Sequence, residues 1–107
     1  MKGKLNQPVV CADGFRMSVQ ANANAYCEPQ KNNANRYESV EVGYPSVAES
    51  LLIEFAEEPE HPTGTVYPRV PAALVSLVIA KHGGMISGEV PPGVAELKAI
   101  VEGEENV

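Results

Sequence analysis

The alternation of apolar and polar residues near the start of the chain predicts a β-hairpin. Residues 9–12 and 15–21 are rich in apolar side chains, and they flank the dipeptide Asp13-Gly14. Asp-Gly between two such runs is a strong signal for a two-residue turn, because Gly tolerates a positive φ. A turn of that length pairs Val10 with Met17 and fixes which side chains share a face. The predicted inward face carries Val10, Ala12, Phe15, Met17 and Val19, and the outward face carries Cys11, Arg16, Ser18 and Gln20.

The middle of the chain predicts further strands and a capped helix. Residues 37–44 alternate as a strand does, and residues 65–67 form a short β-prone piece. Ser46 and Glu49 have the spacing of a capping box, which predicts a helix that begins there and ends near residue 58. A short strand over residues 51–55 is the alternative, because short apolar runs do not distinguish helix from strand.

The last third of the chain predicts the central helix. Pro71 suits the first position of a helix, and Gly83-Gly84 suits its left-handed end after His82. Apolar residues from Val94 to residue 101 indicate a last short helix. Together these elements predict an α+β fold, with a small antiparallel sheet begun by the hairpin and two or three helices packed on one face.

Length and composition predict one domain over residues 1–107. A chain of 107 residues with 44% hydrophobic residues is sufficient for one hydrophobic core. We expect an ordered core over about residues 8–102, a flexible N-terminus and an acidic C-terminal tail. The Asn-rich loop, residues 22–36, is long enough to be either a binding loop or a mobile surface loop, and both interpretations stay open.

Net charge and targeting signals disfavour several classes of function and location. Fourteen Asp and Glu against eight Lys and Arg give a formal charge of −6, which disfavours direct nucleic-acid binding. The first ten residues lack the apolar run of a secretory signal, and no apolar stretch approaches the roughly 20 residues of a membrane span. We therefore expect a cytoplasmic protein in which Cys11 and Cys27 are reduced thiols. The sequence does not determine whether the protein is a monomer or a homo-oligomer.

The strongest charge feature is an acidic segment in the middle of the chain. Residues 38–60 contain seven of the 14 carboxylates and no Lys or Arg. The segment predicts a docking surface for a basic partner, in which charge pairs would give specificity and fast association. A solvated face that only keeps the protein soluble is the alternative. The residues predicted to contact the partner are Glu41, Glu49, Glu54, Glu57 and Glu58.

Catalytic and metal-binding patterns are weak in this sequence. His61, His82 and the two cysteines are scattered singly, at spacings that match neither a zinc site nor a nucleophile with its base. We therefore predict no enzyme activity, no catalytic residues, no metal and no cofactor. A minor enzyme that uses Cys27 or His82 is the less favoured alternative.

A second binding hypothesis involves tyrosine and arginine. Tyrosine rings could stack on a base and guanidinium groups could hold phosphate, so such a set would sequester a small signalling nucleotide. Tyrosines that only fill the core or its rim are the alternative. The candidate ligand-binding residues are Arg16, Tyr26, Arg36, Tyr67 and Arg69.

Several motifs carry a family resemblance over about residues 9–84. These are the runs from Asp13 to Ala21, Tyr26-Cys27, Val40 to Ser46, Pro62-Thr63 with Val66-Tyr67, and Ile79 to Gly84. In this combination the chain resembles a small family of bacteriophage and prophage proteins that has no assigned reaction. Where the family has a Gly-Tyr pair, this chain has Pro68-Arg69, so a shared use of that turn is in doubt.

The resemblance implies a phage accessory protein in the host bacterial cytoplasm. Combined with the acidic segment, it gives the hypothesis of a non-catalytic inhibitor of a host defence component, similar in kind to an anti-CRISPR protein. Its partner would be a host protein or complex with a basic surface. The link between small acidic phage proteins and defence inhibition is an association and not a mechanism. A phage protein with no inhibitory role is the remaining alternative.

Overall fold

Five antiparallel strands supply most of the regular secondary structure in the computed structural model, which describes residues 5–100. The strands are β1 (Val9–Cys11), β2 (Arg16–Gln20), β3 (Ser39–Gly43), β4 (Val66–Pro71) and β5 (Met85–Ser87), and the helix is α1 (Ala72–Lys81). The order across the sheet is β4-β3-β2-β1-β5, so β4 and β5 are the edges. The expected flexible N-terminus and acidic tail fall largely on residues 1–4 and 101–107, outside the described residues.

The predicted hairpin is present, but its register is shifted by one residue. The amide of Cys11 donates to the Phe15 carbonyl at 2.8 Å, and the Gly14 amide donates to the Cys11 carbonyl at 2.9 Å, which makes a three-residue loop. Gly14 occupies the left-handed region at φ 96°, as the last position of such a loop requires. Val9 therefore pairs with Met17. The prediction that Val10 and Ala12 face inward was wrong, because a one-residue slip exchanges the two faces of a strand.

One face of the sheet and one side of α1 enclose a single hydrophobic core. The side chains of α1 that enter it are Ala72, Val75, Val78 and Ile79. The sheet residues in the core, each at most 1% exposed, are Val9, Cys11, Met17, Val19, Val40, Val42, Tyr67 and Val70. The predicted central helix is thus confirmed, and it begins directly after Pro71, the last residue of β4. No helix within residues 5–100 is long and apolar enough to cross a membrane.

The predicted helix after Ser46 is absent because other contacts use both residues of its capping box. The Ser46 hydroxyl accepts a hydrogen bond from the Arg16 amide at 3.0 Å, and the Ser46 amide donates to the Arg16 carbonyl at 2.9 Å. Glu49 turns inward instead of back toward Ser46. This connection forms successive tight turns and one short 3-10 helix, Ile53–Phe55, and not the alternative strand over residues 51–55.

The predicted last helix is also absent within the described residues. The Met85 amide donates to the Leu97 carbonyl at 2.7 Å, and the Ala99 amide donates to the Met85 carbonyl at 2.9 Å, so this segment runs extended beside β5. The expectation of two or three helices packed on one face was therefore wrong. Residues 5–100 contain one α-helix on a sheet that supplies most of the regular structure.

The Asn-rich loop forms part of the core. Its residues Ala25, Cys27 and Ala34 are buried, as is Tyr37, which directly follows the loop. The Tyr37 hydroxyl donates to the Lys31 carbonyl at 2.6 Å and accepts from the Ala34 amide at 3.2 Å, which closes the loop around the ring. The backbone of this loop is therefore fixed by packing and not only by its ends.

We predict that Gly93→Ala destabilises the fold strongly. Gly93 has φ +112°, and a Cβ there would overlap the carbonyl oxygen of Tyr37. The strain and the overlap should lower the free energy of unfolding by about 2–4 kcal/mol, measured as the urea midpoint. Gly64→Ala is the matched control, since its Cβ would lie 3.9 Å from the nearest atom. Equal midpoints for the two variants would contradict the close approach at Gly93.

Candidate functional site

Four exposed glutamates lie in one short loop beside the sheet. They are Glu54, Glu57, Glu58 and Glu60. Glu54 belongs to the 3-10 helix, and the other three follow it before Pro62. We call residues 54–60 the acidic loop. It contains four carboxylates in seven residues and no Lys or Arg.

Backbone hydrogen bonds fix the acidic loop against the edge strand β4. The Glu57 amide donates to the Val66 carbonyl at 3.0 Å, and the Glu58 amide donates to the Thr65 hydroxyl at 3.1 Å. Farther along, the Tyr67 hydroxyl donates to the Pro62 carbonyl at 2.7 Å. The loop thus covers an edge that would otherwise expose unpaired backbone groups. Its carboxylates project from an anchored backbone.

The negative charge of the acidic loop is not neutralised locally. Among residues 5–100, no side-chain nitrogen of Lys, Arg or His lies within 4.0 Å of its four carboxylates. Other acids are paired within the protein: Glu38 with Arg36, Glu96 with Lys98, and Asp13 with His82. The loop is therefore the part of residues 38–60 in which charge is concentrated and exposed.

Two of the five predicted contact residues lie elsewhere. Glu49 is only 2% exposed, so it cannot contact a partner on the folded surface. Glu41 is half-buried on the outer face of β3, where its carboxylate accepts a hydrogen bond from the Tyr26 amide at 2.9 Å. Glu54, Glu57 and Glu58 are together in the acidic loop, and Glu60, which was not among the five, lies beside them. The spacing of the acids in the sequence does not reveal which of them turn inward.

The buried Glu49 is the centre of an ionic network around His82. The imidazole Nε2 lies 2.6 Å from Glu49 Oε1, and Nδ1 lies 2.6 Å from Asp13 Oδ2. The Lys81 ammonium donates to Glu49 Oε2 at 2.7 Å, and the Leu51 amide donates to the same oxygen at 2.9 Å. Phe15 stacks on the imidazole, with 4.1 Å between ring centroids.

The network favours the charged form of each group. Burial alone would raise the pKa of Glu49, but hydrogen bonds from Lys81, the Leu51 amide and His82 lower it to about 2. Burial alone would lower the pKa of His82, but its hydrogen bonds to Glu49 and Asp13 raise it above the ordinary 6.5. The Phe15 amide, and then His82, lower the pKa of Asp13. The carboxyl end of α1 adds to the preference for an imidazolium.

This arrangement suits structural cohesion better than acid–base chemistry. Both ring nitrogens of His82 contact carboxylates, so neither is available to accept a proton from a substrate. Burial raises the pKa of the Cys11 thiol to about 11, and Asp13 adds to this effect. Burial also raises the pKa of Cys27, whose thiol donates to the Asn22 carbonyl at 3.3 Å. Neither thiol is therefore poised as a thiolate nucleophile. Within residues 5–100, no three His, Cys, Asp or Glu side chains converge as metal ligands.

The predicted tyrosine and arginine set does not converge on one pocket. Tyr67 is fully buried, so its ring is not available to a ligand. Arg36 points into solvent beside Glu38, and Arg16 is exposed at the start of β2. Only Tyr26 and Arg69 come together, with the guanidinium carbon 5.4 Å from the ring centroid. The guanidinium group of Arg69 stacks on the ring of Tyr26, which leaves no space for a base between them.

Comparison with known proteins adds no relative. No protein-family model, curated protein or solved structure matches the chain. The function is therefore inferred from the residues themselves.

We predict that Glu49→Gln destabilises the protein by about 3 kcal/mol, because it leaves His82 and Lys81 without their buried counter-charge. Glu54→Gln is the control, since this exposed side chain has no such partners. Urea unfolding of both variants at pH 6 measures the difference. A Glu49→Gln midpoint equal to that of the control would contradict the network.

The destabilisation by Glu49→Gln should decrease at both low and high pH. Glu49 has a lowered pKa, so its contribution is complete above its ordinary pKa of 4.5 and is lost as the pH falls toward about 2. His82 has a raised pKa, so its contribution is complete below 6.5 and declines as the pH rises through its folded value. The difference from wild type should be largest between these limits. A difference that is constant from pH 3 to pH 9 would contradict this linkage.

Proposed function

We propose that this chain is a non-catalytic binding protein that docks a basic protein surface on the acidic loop. The observation that carries the proposal is the set of four exposed, unneutralised glutamates on a loop anchored to the sheet edge. The charged residues around His82 are paired internally, which leaves the acidic loop as the concentrated source of negative potential in residues 38–60.

The physical basis is electrostatic complementarity. A cluster of like charges accelerates encounter with an oppositely charged surface and discriminates against acidic partners. Because hydrogen bonds to β4 hold the loop, little conformational entropy should be lost on binding. Val47 and Leu51, 54% and 37% exposed, precede the acids on the same connection and offer apolar surface to the same partner. Apolar contacts of this kind would exclude water from nearby charge pairs between the glutamates and basic partner residues. The attraction within each pair would then be stronger than in an isolated surface pair.

The family resemblance gives this proposal a biological setting. In that setting the partner is a host defence component in the bacterial cytoplasm, and this chain is its phage-encoded inhibitor. A surface that normally holds nucleic acid is basic, so an acidic loop would compete for it without binding nucleic acid itself.

Charge reversal in the acidic loop tests the proposal. The variant Glu54→Lys/Glu57→Lys should weaken binding to a basic partner by at least about tenfold, because two attractive charges become repulsive. Tagged wild-type and variant proteins are incubated with bacterial lysate at low and high salt, and bound proteins are quantified by mass spectrometry. Binding by the wild type should fall at high salt.

The matched control is Glu38→Lys/Glu96→Lys, which changes the net charge equally at two other exposed positions. We expect it to retain the proteins that Glu54→Lys/Glu57→Lys loses. Equal retention by both variants, or equal loss in both, would contradict docking through the acidic loop.

A further inference from the structure

Two adjoining clefts form a groove on the side of the molecule where the Asn-rich loop meets the sheet. The larger has a volume of about 630 Å³ and the smaller about 250 Å³. Both are lined by Leu5, Gln20, Asn22 and Asn24, so they form one continuous surface, which we call the amide groove. The larger cleft is within the size range of small-molecule sites. None of the acidic loop glutamates lines the amide groove.

Side-chain carboxamides dominate the larger cleft, and its lining contains no charged residue. The six carboxamides are those of Asn6, Gln20, Asn22, Asn24, Asn32 and Asn33. A carboxamide offers both donors and an acceptor without charge. Such a lining matches a neutral ligand with many hydrogen-bonding groups, whereas phosphates and carboxylates require cationic partners.

Several of these carboxamides are already oriented by the protein. Asn22 Oδ1 accepts a hydrogen bond from the Asn24 amide at 2.8 Å, and Asn32 Oδ1 accepts from the Ala23 amide at 3.0 Å. Gln20 is held at both ends, since its oxygen accepts from the Asn6 amide and its nitrogen donates to Ser18 and to the Asn6 carbonyl, so it shapes the groove and the asparagines of the Asn-rich loop are left to bind a ligand. When the oxygen of Asn22 or Asn32 is occupied, the NH₂ group is the part left to donate to a ligand. Preorganised groups of this kind reduce the entropic cost of binding.

An exposed aromatic ring lies beside the carboxamides. Tyr44 lines the smaller cleft together with Val66 and is 59% exposed. Its backbone is in the left-handed region at φ 50°, which is rare for a bulky residue and costs free energy. The hydrogen bond from its amide to the Thr65 carbonyl, at 3.1 Å, keeps it there. Strained residues of this kind are concentrated at ligand sites, and this one carries an exposed ring.

We propose that the amide groove binds a neutral oligosaccharide. Sugar hydroxyls donate and accept hydrogen bonds, as carboxamides do, and the apolar C–H face of a sugar ring can pack on Tyr44. Val90, Pro91 and Pro92 supply further apolar surface in the larger cleft. The two adjoining clefts together accommodate more than one sugar ring.

Other ligand classes fit the groove less well. An extended peptide usually adds to a free sheet edge, whereas Gln20 and Glu41 lie on β2 and β3, which are already paired on both sides. A nucleotide would bring phosphate toward Glu41, the one charged residue in the smaller cleft, and neither cleft is lined by Lys or Arg. Glu41 can instead accept hydrogen bonds from sugar hydroxyls.

The side-chain NH₂ signals of the groove allow a direct test by nuclear magnetic resonance. The ¹⁵N-labelled protein is titrated separately with tetrasaccharides of α-linked glucose, β-linked glucose and β-linked N-acetylglucosamine. We expect at least one to bind with a millimolar or lower Kd and to shift the NH₂ signals of Asn22, Asn24 or Asn32. Asn24→Ala and Tyr44→Asn should each weaken binding about tenfold.

Two controls separate the groove from general effects on the protein. Tyr26→Asn removes an exposed tyrosine outside the groove, and Asn35→Ala removes an exposed carboxamide outside it, so both should leave the Kd unchanged. Tyr44→Asn should fold, because Asn tolerates the left-handed region. The proposal is overturned if none of the three sugars shifts the NH₂ signals, or if AMP or tetra-alanine binds more tightly than every sugar. Binding that is insensitive to both groove variants would overturn it as well.

Discussion

The imidazole of His82 between the carboxylates of Asp13 and Glu49 is the contact on which the arrangement of this fold depends. Its two 2.6 Å hydrogen bonds join the hairpin turn, the connection after β3 and the end of α1. Backbone bonds reinforce the same junction, since the Ala12 amide donates to the Gly84 carbonyl at 2.9 Å. A small sheet with one helix has few packing layers. The ionic junction therefore helps to hold the hairpin turn, the connection after β3 and the end of α1 together.

The junction also decides which acids are available for function. Glu49 belongs by sequence to the acidic segment, yet Lys81 and His82 compensate its charge inside the protein. Within residues 38–60, the remaining negative charge is concentrated on the acidic loop, whose backbone is bound to β4. Residues 38–60 thus contain a buried, paired carboxylate at Glu49 and four exposed carboxylates on the acidic loop that have no ion pair among the described residues. That difference is the physical basis of the proposed docking to a basic partner.

The elements predicted correctly were those with a local cause. Asp13-Gly14 produced a hairpin, and Pro71 with Gly83-Gly84 bounded α1, because the conformational preferences of Gly and Pro act within a few residues. The predicted hairpin register was wrong because the loop is one residue longer than expected. In this loop the Asp13 side chain accepts a hydrogen bond from the Phe15 amide at 2.9 Å. The helix predicted from the capping box is absent because Ser46 and Glu49 form hydrogen bonds with residues in distant segments.

The candidate site depends on contacts between residues far apart in the sequence. His82 was recognised as suited to a helix end, but its carboxylate partners are 69 and 33 residues away, which no local pattern shows. The amide groove was missed for a similar reason, because four of its five asparagines come from the Asn-rich loop but the rest of its lining comes from segments that are distant in the sequence.

The protonation state of His82 at pH 6.5 is the most direct measurement of the central junction. Long-range ¹H–¹⁵N correlation of the imidazole distinguishes an imidazolium, in which both ring nitrogens carry a proton, from a neutral tautomer. With carboxylates on both nitrogens and a raised pKa, His82 should be mostly imidazolium at pH 6.5, where an ordinary imidazole is half protonated. A mostly neutral imidazole at pH 6.5, which means a His82 pKa at or below the ordinary value, would contradict the junction described here.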